Sequence, residues 1–364
     1  MTIETFRIAV LPGDGIGHEV MAPTLALLDA ACARAGGLTL SHETLPAGAV
    51  CWRDTGAALP AATMAAARAA DAILLAAMGD PAIRYPDGTE IAPQLDLRFD
   101  LGLYAGVRPV KPIPGVRIPL ADPRAREMDF VVLRESTEGL FASRGRGTVE
   151  NDARASDTMV ITRAVSERLF DFAFALARSR RDKGGRNLVT CVDKANVFTS
   201  FAFFRRVFDE RAAAHPDVRA AHAYVDAMAL DFVRRPWELD VLPTENMFGD
   251  ILSDLGAGLM GGLGYAPSAD IGDEHAVFQP CHGSAPDIAG RGLANPTAMI
   301  LSGAMMLEWL GERHGSARAA RAGGLLRAAV DAAFAPGQLV TAEHGGAAGT
   351  AAVATAVGEA LAAA

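Results

Sequence analysis

Short apolar runs alternate with longer stretches of helical period along almost the whole chain, and this alternation narrows the fold more than any other feature. Runs of strand length lie at 6–11, 72–76, 104–110, 128–134, 187–193, 239–243 and 276–279. Helical patterns begin near His18 and recur at 60–70, 163–182, 197–214, 226–235, 247–260, 296–314 and 318–333. Neighbouring parallel strands need a long crossover between them, and a helix supplies it. The order therefore predicts an α/β protein on a mostly parallel sheet. A length of 364 residues allows one large or two ordinary domains. The stretch 79–93 reads as loop, and the polar stretch 143–158 as a surface arm or an excursion used for subunit contact. Beyond an alanine-rich tail there is no low-complexity tract and no internal repeat.

The first strand runs into Pro12-Gly13-Asp14-Gly15-Ile16-Gly17 and then a helical pattern. A dinucleotide-binding Gly-x-Gly-x-x-Gly turn would need glycine at 18, which is His18, so a Rossmann fold is not expected. A net charge of −9 with no basic stretch argues against nucleic acid as a partner. No run reaches the roughly 18 apolar residues that span a bilayer, and 1–11 holds no long apolar leader, so the expectation is a cytoplasmic protein without a membrane partner. Cys32, Cys51, Cys191 and Cys281 are scattered without metal-type spacing and read as reduced, buried thiols.

Chemistry concentrates in two clusters. Asp250 and Asp254 are four apart in a helical stretch, so their carboxylates project from one face a turn apart, and Asp226 stands in Tyr-Val-Asp-Ala-Met-Ala. Like charges held that close repel unless neutralised, and a hard cation such as Mg²⁺ or Mn²⁺ does this while keeping positions open for substrate. A solvated helix face is the plainer reading, but the segment 247–266 is apolar and glycine-rich, a poor setting for casual surface carboxylates. Upstream, Arg98, Arg108 and Arg134 are three fixed cations suited to bidentate capture of carboxylates. Together the clusters describe a site that chelates an anionic substrate onto a metal.

Seven segments carry a resemblance over nearly the full length. They are Leu-Pro-Gly-Asp-Gly-Ile-Gly (11–17), Leu-Arg-x9-Arg-Pro (97–109), Leu-Arg-Glu-Ser-Thr-Glu-Gly (133–139), Val-Asp-Lys-Ala-Asn-Val (192–197), Tyr-Val-Asp-Ala-Met-Ala (224–229), Asn-Met-Phe-Gly-Asp-Ile-Leu-Ser-Asp (246–254) and His-Gly-Ser-Ala-Pro-Asp-Ile-Ala-Gly (282–290). In this order they resemble the β-decarboxylating dehydrogenases, the isocitrate/isopropylmalate dehydrogenase family. The resemblance implies a two-domain isopropylmalate-dehydrogenase-like fold, with a discontinuous domain of 1–103 and 262–364 around a central domain of 104–261. It implies NAD- and Mg²⁺/Mn²⁺-dependent oxidation, coupled to decarboxylation, of a 3-substituted malate. The leading substrate is 3-isopropylmalate, with tartrate or D-malate as the alternative and a weakly catalytic regulatory subunit as the reading from another class. Arg98, Arg108 and Arg134 match the carboxylate-gripping arginines, and Asp226, Asp250 and Asp254 the metal carboxylates. Lys194 matches the catalytic lysine and acts with Asp226, both supplied across a homodimer with shared sites. His282, Gly283, Ala285, Asp287 and Asn295 match the adenosine-binding loop, and Asn246 would face the nicotinamide. A carboxylate at Asp287 suits the ribose 2′-hydroxyl of NAD and would repel the 2′-phosphate of NADP.

Three positions depart from the family pattern or leave a choice open. Phe141 stands where most relatives place a tyrosine read as the acid that protonates the enolate carbon; Ser136, Thr137 and Ser143 are the nearby hydroxyls. Gln94 and Leu95, four and three before Arg98, occupy the positions that contact the substrate's 3-substituent, where isopropylmalate enzymes are apolar at both. A buried amide against an isopropyl group costs roughly 1–3 kcal/mol, which favours a hydroxylated or carboxylated substituent. Glu245 puts a charge before Asn246 that either touches the nicotinamide ribose or faces water.

Overall fold

A computed structural model describes residues 3–364. Ten strands form one sheet in the order β2-β1-β3-β12-β11-β4-β5-β10-β8-β9. They are β1 (Glu4–Gly13), β2 (Leu38–Thr44), β3 (Ala72–Ala77), β4 (Ala105–Val110), β5 (Phe130–Glu135), β8 (Leu188–Asp193), β9 (Arg219–Tyr224), β10 (Val241–Thr244), β11 (Pro267–Ile271) and β12 (Ala276–Pro280). A separate exposed hairpin joins β6 (Thr148–Glu150) to β7 (Arg154–Ser156) within the expected arm. The helices are α1 (Gly17–Ala35), α2 (Ala49–Thr55), α3 (Ala61–Ala69), α4 (Pro93–Asp100), α5 (Arg163–Arg181), α6 (Thr199–Ala214), α7 (Val225–Arg234), α8 (Asn246–Met260), α9 (Thr297–His314), α10 (Ala317–Phe334) and α11 (Thr350–Ala363).

Six of the nine pairings in the large sheet are parallel, and the three antiparallel ones, β12–β11, β11–β4 and β4–β5, fall together at its centre. Strands β1, β2, β3, β11 and β12 come from the two chain ends and occupy one half; β4, β5, β8, β9 and β10 occupy the other. Helices α1, α9, α10 and α11 pack together against the first half, while α5 and α6 pair over the second. Phe130, Phe170, Phe174, Phe204, Phe208 and Phe232 are fully buried in that second half. Each contributes about 1.5–3 kcal/mol of burial.

The strands that sequence reading passed over are those that break the apolar pattern. Edge strands β2 and β9 keep most residues at least partly exposed, so hydrophobic runs never form there. Strand β11 carries Pro267, Ser268 and Asp270 yet is buried throughout. The alanine-rich tail folds as α11, whose Val353, Val357 and Leu361 repeat every four residues and are buried.

The opening glycine motif serves packing. A Cβ on Gly13 would lie 1.8 Å from the carbonyl of Ala77, and one on Gly15 would lie 2.1 Å from that of Ser284; both residues have positive φ. Between them, buried Asp14 accepts hydrogen bonds from the backbone N–H groups of Ala49, Val50 and Gly79 at 2.7–2.9 Å. Asp14→Ala orphans all three donors, at about 1–3 kcal/mol for each before relaxation. Denaturant unfolding of that variant should show a loss of about 2 kcal/mol or more, and an unchanged midpoint would refute this role for Asp14.

Candidate active site

A cleft of about 180 Å³ opens beside the antiparallel centre of the sheet. Its lining includes Gln94 and Arg98 from α4, Arg108 from β4, Arg134 from β5, Asp250, Ser253 and Asp254 from α8, and Cys281, His282 and Gly283 after β12. Arg98, Arg108 and Arg134 are all more than nine-tenths buried, so three full charges are held out of water on one wall.

Each arginine is held from behind. Asp270, on β11 and 1 % exposed, accepts from Arg98 Nε at 2.9 Å, from Arg108 at 2.9 Å and from Gln279 Nε2 at 2.6 Å. Arg108 also donates to the carbonyl of Ala269 at 2.8 Å. Burial alone would push the Asp270 carboxyl up, but Arg108 and Arg98 outweigh it and hold the group down at about 2. Arg134 donates from Nε to Asn246 Oδ1 at 2.9 Å and pairs with Asp250. Burial, reinforced by Arg98, lowers Arg134 to about 10. The two terminal nitrogens of Arg98 have no protein partner among the described residues, which leaves them for an anion in the cleft.

Helix α8 sets the carboxylates. Its first turn is capped by Glu245, whose Oε2 accepts from the N–H groups of Met247 and Phe248. Glu245 is 2 % exposed, so it neither faces water nor lines the cleft; its acid fastens the helix that carries Asp250 and Asp254. Asp254 keeps contact with solvent, yet its carboxyl is raised from the ordinary range by desolvation and by Asp250. A cation beside the pair would relieve that repulsion.

Lys194 and Asp226 lie elsewhere. Lys194 follows β8, Asp226 sits in the first turn of α7, and Lys194 Nζ reaches Asp226 Oδ1 at 2.6 Å. Neither lines the cleft of its own chain, and the Asp226 side chain is 69 % exposed. Among the described residues no three His, Cys, Asp or Glu side chains of one chain converge on a metal-sized point.

The expected cofactor loop follows β12. His282 Nδ1 donates to the carbonyl of Gly283 at 2.9 Å, its buried Nε2 has no partner, and burial lowers its pKa, so a neutral ring offers a free acceptor. Asp287 is exposed, and its carboxylate has no partner among the described residues. Ala285 has φ +37°, which turns the loop between these two. Asn295 is engaged: its amide donates to Glu343 at 2.7 Å and its oxygen accepts from the N–H and hydroxyl of Thr297 at the start of α9. Asn246 is 1 % exposed and is bound at both ends, to Arg134 and to the carbonyl of Glu138.

Phe141 packs on the Arg134 guanidinium, 4.7 Å from its ring centre. The neighbouring hydroxyls point away, Ser136 to the carbonyl of Arg134, Thr137 to Glu135 and Ser143 to the carbonyl of Leu140. Gln94 reaches the cleft with a buried Oε1 that has no partner, whereas Leu95 does not line it.

The family described as isocitrate/isopropylmalate dehydrogenase matches residues 7–361. The chain belongs to that family. It is 43 % identical over 307 residues to the 3-isopropylmalate/3-methylmalate dehydrogenase of Methanocaldococcus jannaschii, covering 84 % of this chain and 86 % of that one. It is 44 % identical over 320 residues to the 3-isopropylmalate dehydrogenase of Thermobifida fusca, covering 85 % and 88 %. Among solved structures it resembles isocitrate dehydrogenase from Methylococcus capsulatus, with TM-score 0.85, 36 % identity and 98 % and 99 % coverage. It also resembles a β-decarboxylating dehydrogenase from Thermococcus kodakarensis, with TM-score 0.78, 36 % identity and 98 % and 96 % coverage. It is thus an oxidoreductase that acts on a CH–OH donor.

In this dehydrogenase two side chains that organise the site escaped sequence reading. Asp270 was hidden because β11 looks like loop, and Gln279 because nothing in an apolar strand marks one amide as an arginine's neighbour. Among the described residues no helix is long and apolar enough to cross a membrane. Cys32, Cys51, Cys191 and Cys281 are free thiols, the last lining the cleft.

Proposed function

We propose that this dehydrogenase oxidises the hydroxyl of a 3-substituted malate, 3-isopropylmalate foremost, and decarboxylates the product. NAD is the hydride acceptor, and Mg²⁺ or Mn²⁺ is the metal. The convergence of three buried arginines with Asp250 and Asp254 in one cleft carries the reading, because it suits a small dicarboxylate held against a cation. The names of the relatives favour the isopropyl substituent. The orphaned Gln94 Oε1 supports a second reading, a hydroxylated substituent as in tartrate.

The residues present fit both groups. Asp250 and Asp254, with Asp226 of the partner subunit, would offer an all-oxygen donor set for a hard cation. The free His282 Nε2, Gly283 with nothing within 4 Å of a built Cβ, and the unpaired Asp287 suit an adenine and a ribose diol. When bound, the cation supplies Lewis acidity and the nicotinamide accepts the hydride. Arg98, Arg108 and Arg134 orient the carboxylates, Asn246 holds Arg134, and Lys194 of the partner subunit exchanges the proton at the hydroxyl oxygen. That Lys194 and Asp226 stay outside their own cleft supports a homodimer in which each subunit completes the other's site, with the exposed β6–β7 hairpin as an arm at the contact. The two halves of the sheet, 104–261 and the remainder, act as the domains flanking the cleft.

With no hydroxyl at 141, water delivers the final proton. Phe141→Tyr is therefore expected to raise kcat several-fold if that protonation limits turnover, and a fall in kcat would count against the assignment. Asp287→Arg should lower kcat/KM with NAD by at least about 10-fold and improve use of NADP; an unchanged NAD/NADP ratio would remove Asp287 from the cofactor site. The functional reading itself is tested by NADH formation from 3-isopropylmalate, D-malate and tartrate with Mn²⁺. Activity should vanish with a chelator and return with metal, and chelator-resistant activity would contradict the metal.

A further inference from the structure

We infer that Glu19 is a positioning residue for the cofactor: its carboxylate clamps the loop 282–295 in the shape that receives the nucleotide. This rests on the reading of that loop as the NAD site and goes beyond it by naming what holds the loop. Glu19 stands in the first turn of α1. Its Oε2 accepts from the N–H of Gly290 at 3.0 Å, and its Oε1 accepts from the N–H of Ala294 at 3.2 Å. Neither N–H has another acceptor among the described residues. The Thr350 hydroxyl, at the start of α11, lies 2.5 Å from Oε1 and 2.7 Å from the carbonyl of Ala294. The Thr350 N–H donates to the carbonyl of Gly292 at 3.0 Å. One carboxylate thus joins the loop to the first and the last helix.

The loop needs such a clamp. Its front is held at Ser284, whose carbonyl accepts from the N–H of Ile16 at 2.8 Å and whose hydroxyl donates to the carbonyl of Gly79 at 2.5 Å. Between Ser284 and Gly290 the hydrogen bonds run within the loop, from Ile288 to Ala285 and from Arg291 to Ile288. Gly290 and Gly292 both have positive φ, and a released segment with two glycines has the most backbone freedom to lose on ordering. Without Glu19 the rear half would keep only the Thr350 N–H and the packing of Ile288 and Ala289 on the core. Both Glu19 oxygens are taken by the loop and by Thr350, and Glu19 does not line the cleft that holds the arginines. It therefore acts on the cofactor through the loop. A site assembled for only a fraction of the time binds more weakly by that fraction, so cofactor affinity falls while the arginine wall stays as it is.

The test is Glu19→Ala beside Glu19→Gln, which keeps the shape and one acceptor oxygen but loses the second. The first readout is trypsin cleavage of the exposed Arg291–Gly292 bond in the free enzyme, followed by mass spectrometry. It should run at least about 10-fold faster in Glu19→Ala, and the dissociation constant for NADH, from fluorescence titration, should rise at least about 10-fold. KM for the hydroxy acid at saturating NAD⁺ should stay within about twofold, because no Glu19 bond reaches Arg98, Arg108 or Arg134. Glu19→Gln should fall between the native enzyme and Glu19→Ala in both readouts, and it decides the matter if Glu19→Ala does not fold. A merely structural Glu19 would lower the melting temperature without separating NADH affinity from the KM of the hydroxy acid. Unchanged NADH affinity overturns the inference, and so does weaker affinity with unchanged cleavage, since the loop would then not be the route. If the native enzyme binds neither NADH nor NADPH, the nucleotide reading of the loop fails and the inference with it; native binding matched by the variant sinks the inference alone.

Discussion

Lys194→Ala is expected to lower kcat by about 10²–10⁴-fold, the range for removing a positioned acid–base group, while KM for the hydroxy acid moves by about threefold or less. The lysine is held by its neighbour rather than by its own contacts. Asp193 is fully buried, accepts two bonds from Arg205 at 2.8 and 2.7 Å and one from the N–H of Ala195, and so fixes the chain on both sides of Lys194. Arg205 in turn lies on the Tyr224 ring, 5.0 Å from its centre, and Lys194 Nζ is 5.9 Å from the same ring. The side-chain partner of Lys194 itself is Asp226, an exposed acid, and an ion pair screened by water contributes little to stability. Thermal stability should therefore hardly change. Steady-state kinetics with unfolding curves on the same sample separate the two effects; a kcat within about threefold of the native value would remove Lys194 from the chemistry. Mixing this variant with Asp250→Asn tests the shared site, since regained activity requires that one subunit's lysine serve the other's cleft.

Arg108→Ala is expected to cost about 3–5 kcal/mol of stability, because it leaves a buried carboxylate short of a partner. Asp270 would keep Arg98 and Gln279 but lose the arginine that is the larger cause of its depressed pKa. The pH dependence has a definite sign. A carboxyl held near 2 in the folded state, against about 3.9 unfolded, stabilises the protein fully above pH 4 and loses that contribution as pH falls toward 2. The gap between native and variant stability should thus be widest near neutrality and close below pH 4. The losses from Arg108→Ala and Asp270→Asn should be less than additive in the double variant, since each alone breaks the same buried pair. A pH-independent gap, or full additivity, would contradict the buried pair as the cause. The same single variant should lose kcat/KM as well, because the arginine faces the cleft.

Sequence reading reached the parts of the site that announce themselves by spacing. Asp250 and Asp254 share the cleft face of α8, and the three arginines meet in the same cleft although they come from a helix and two strands. The alternation of elements predicted the sheet and most helices. What stayed hidden were features set by tertiary context. Strand β11 is buried on both faces but carries a proline, a serine and an aspartate, so no run of apolar residues marks it. Glu245 looks like a surface or cofactor charge until its carboxylate is seen capping α8. Asn246 and Asn295 fit cofactor motifs, yet their amides are engaged within the protein, a distinction that residue type alone does not carry.

The account stands most directly on the stoichiometry of NADH and CO₂ formed from 3-isopropylmalate with NAD⁺ and Mn²⁺. It predicts equal amounts of both, with the β-keto acid decarboxylated despite Phe141. NADH without CO₂ would contradict the coupled reaction, and neither product from any malate derivative would contradict the proposed function as a whole.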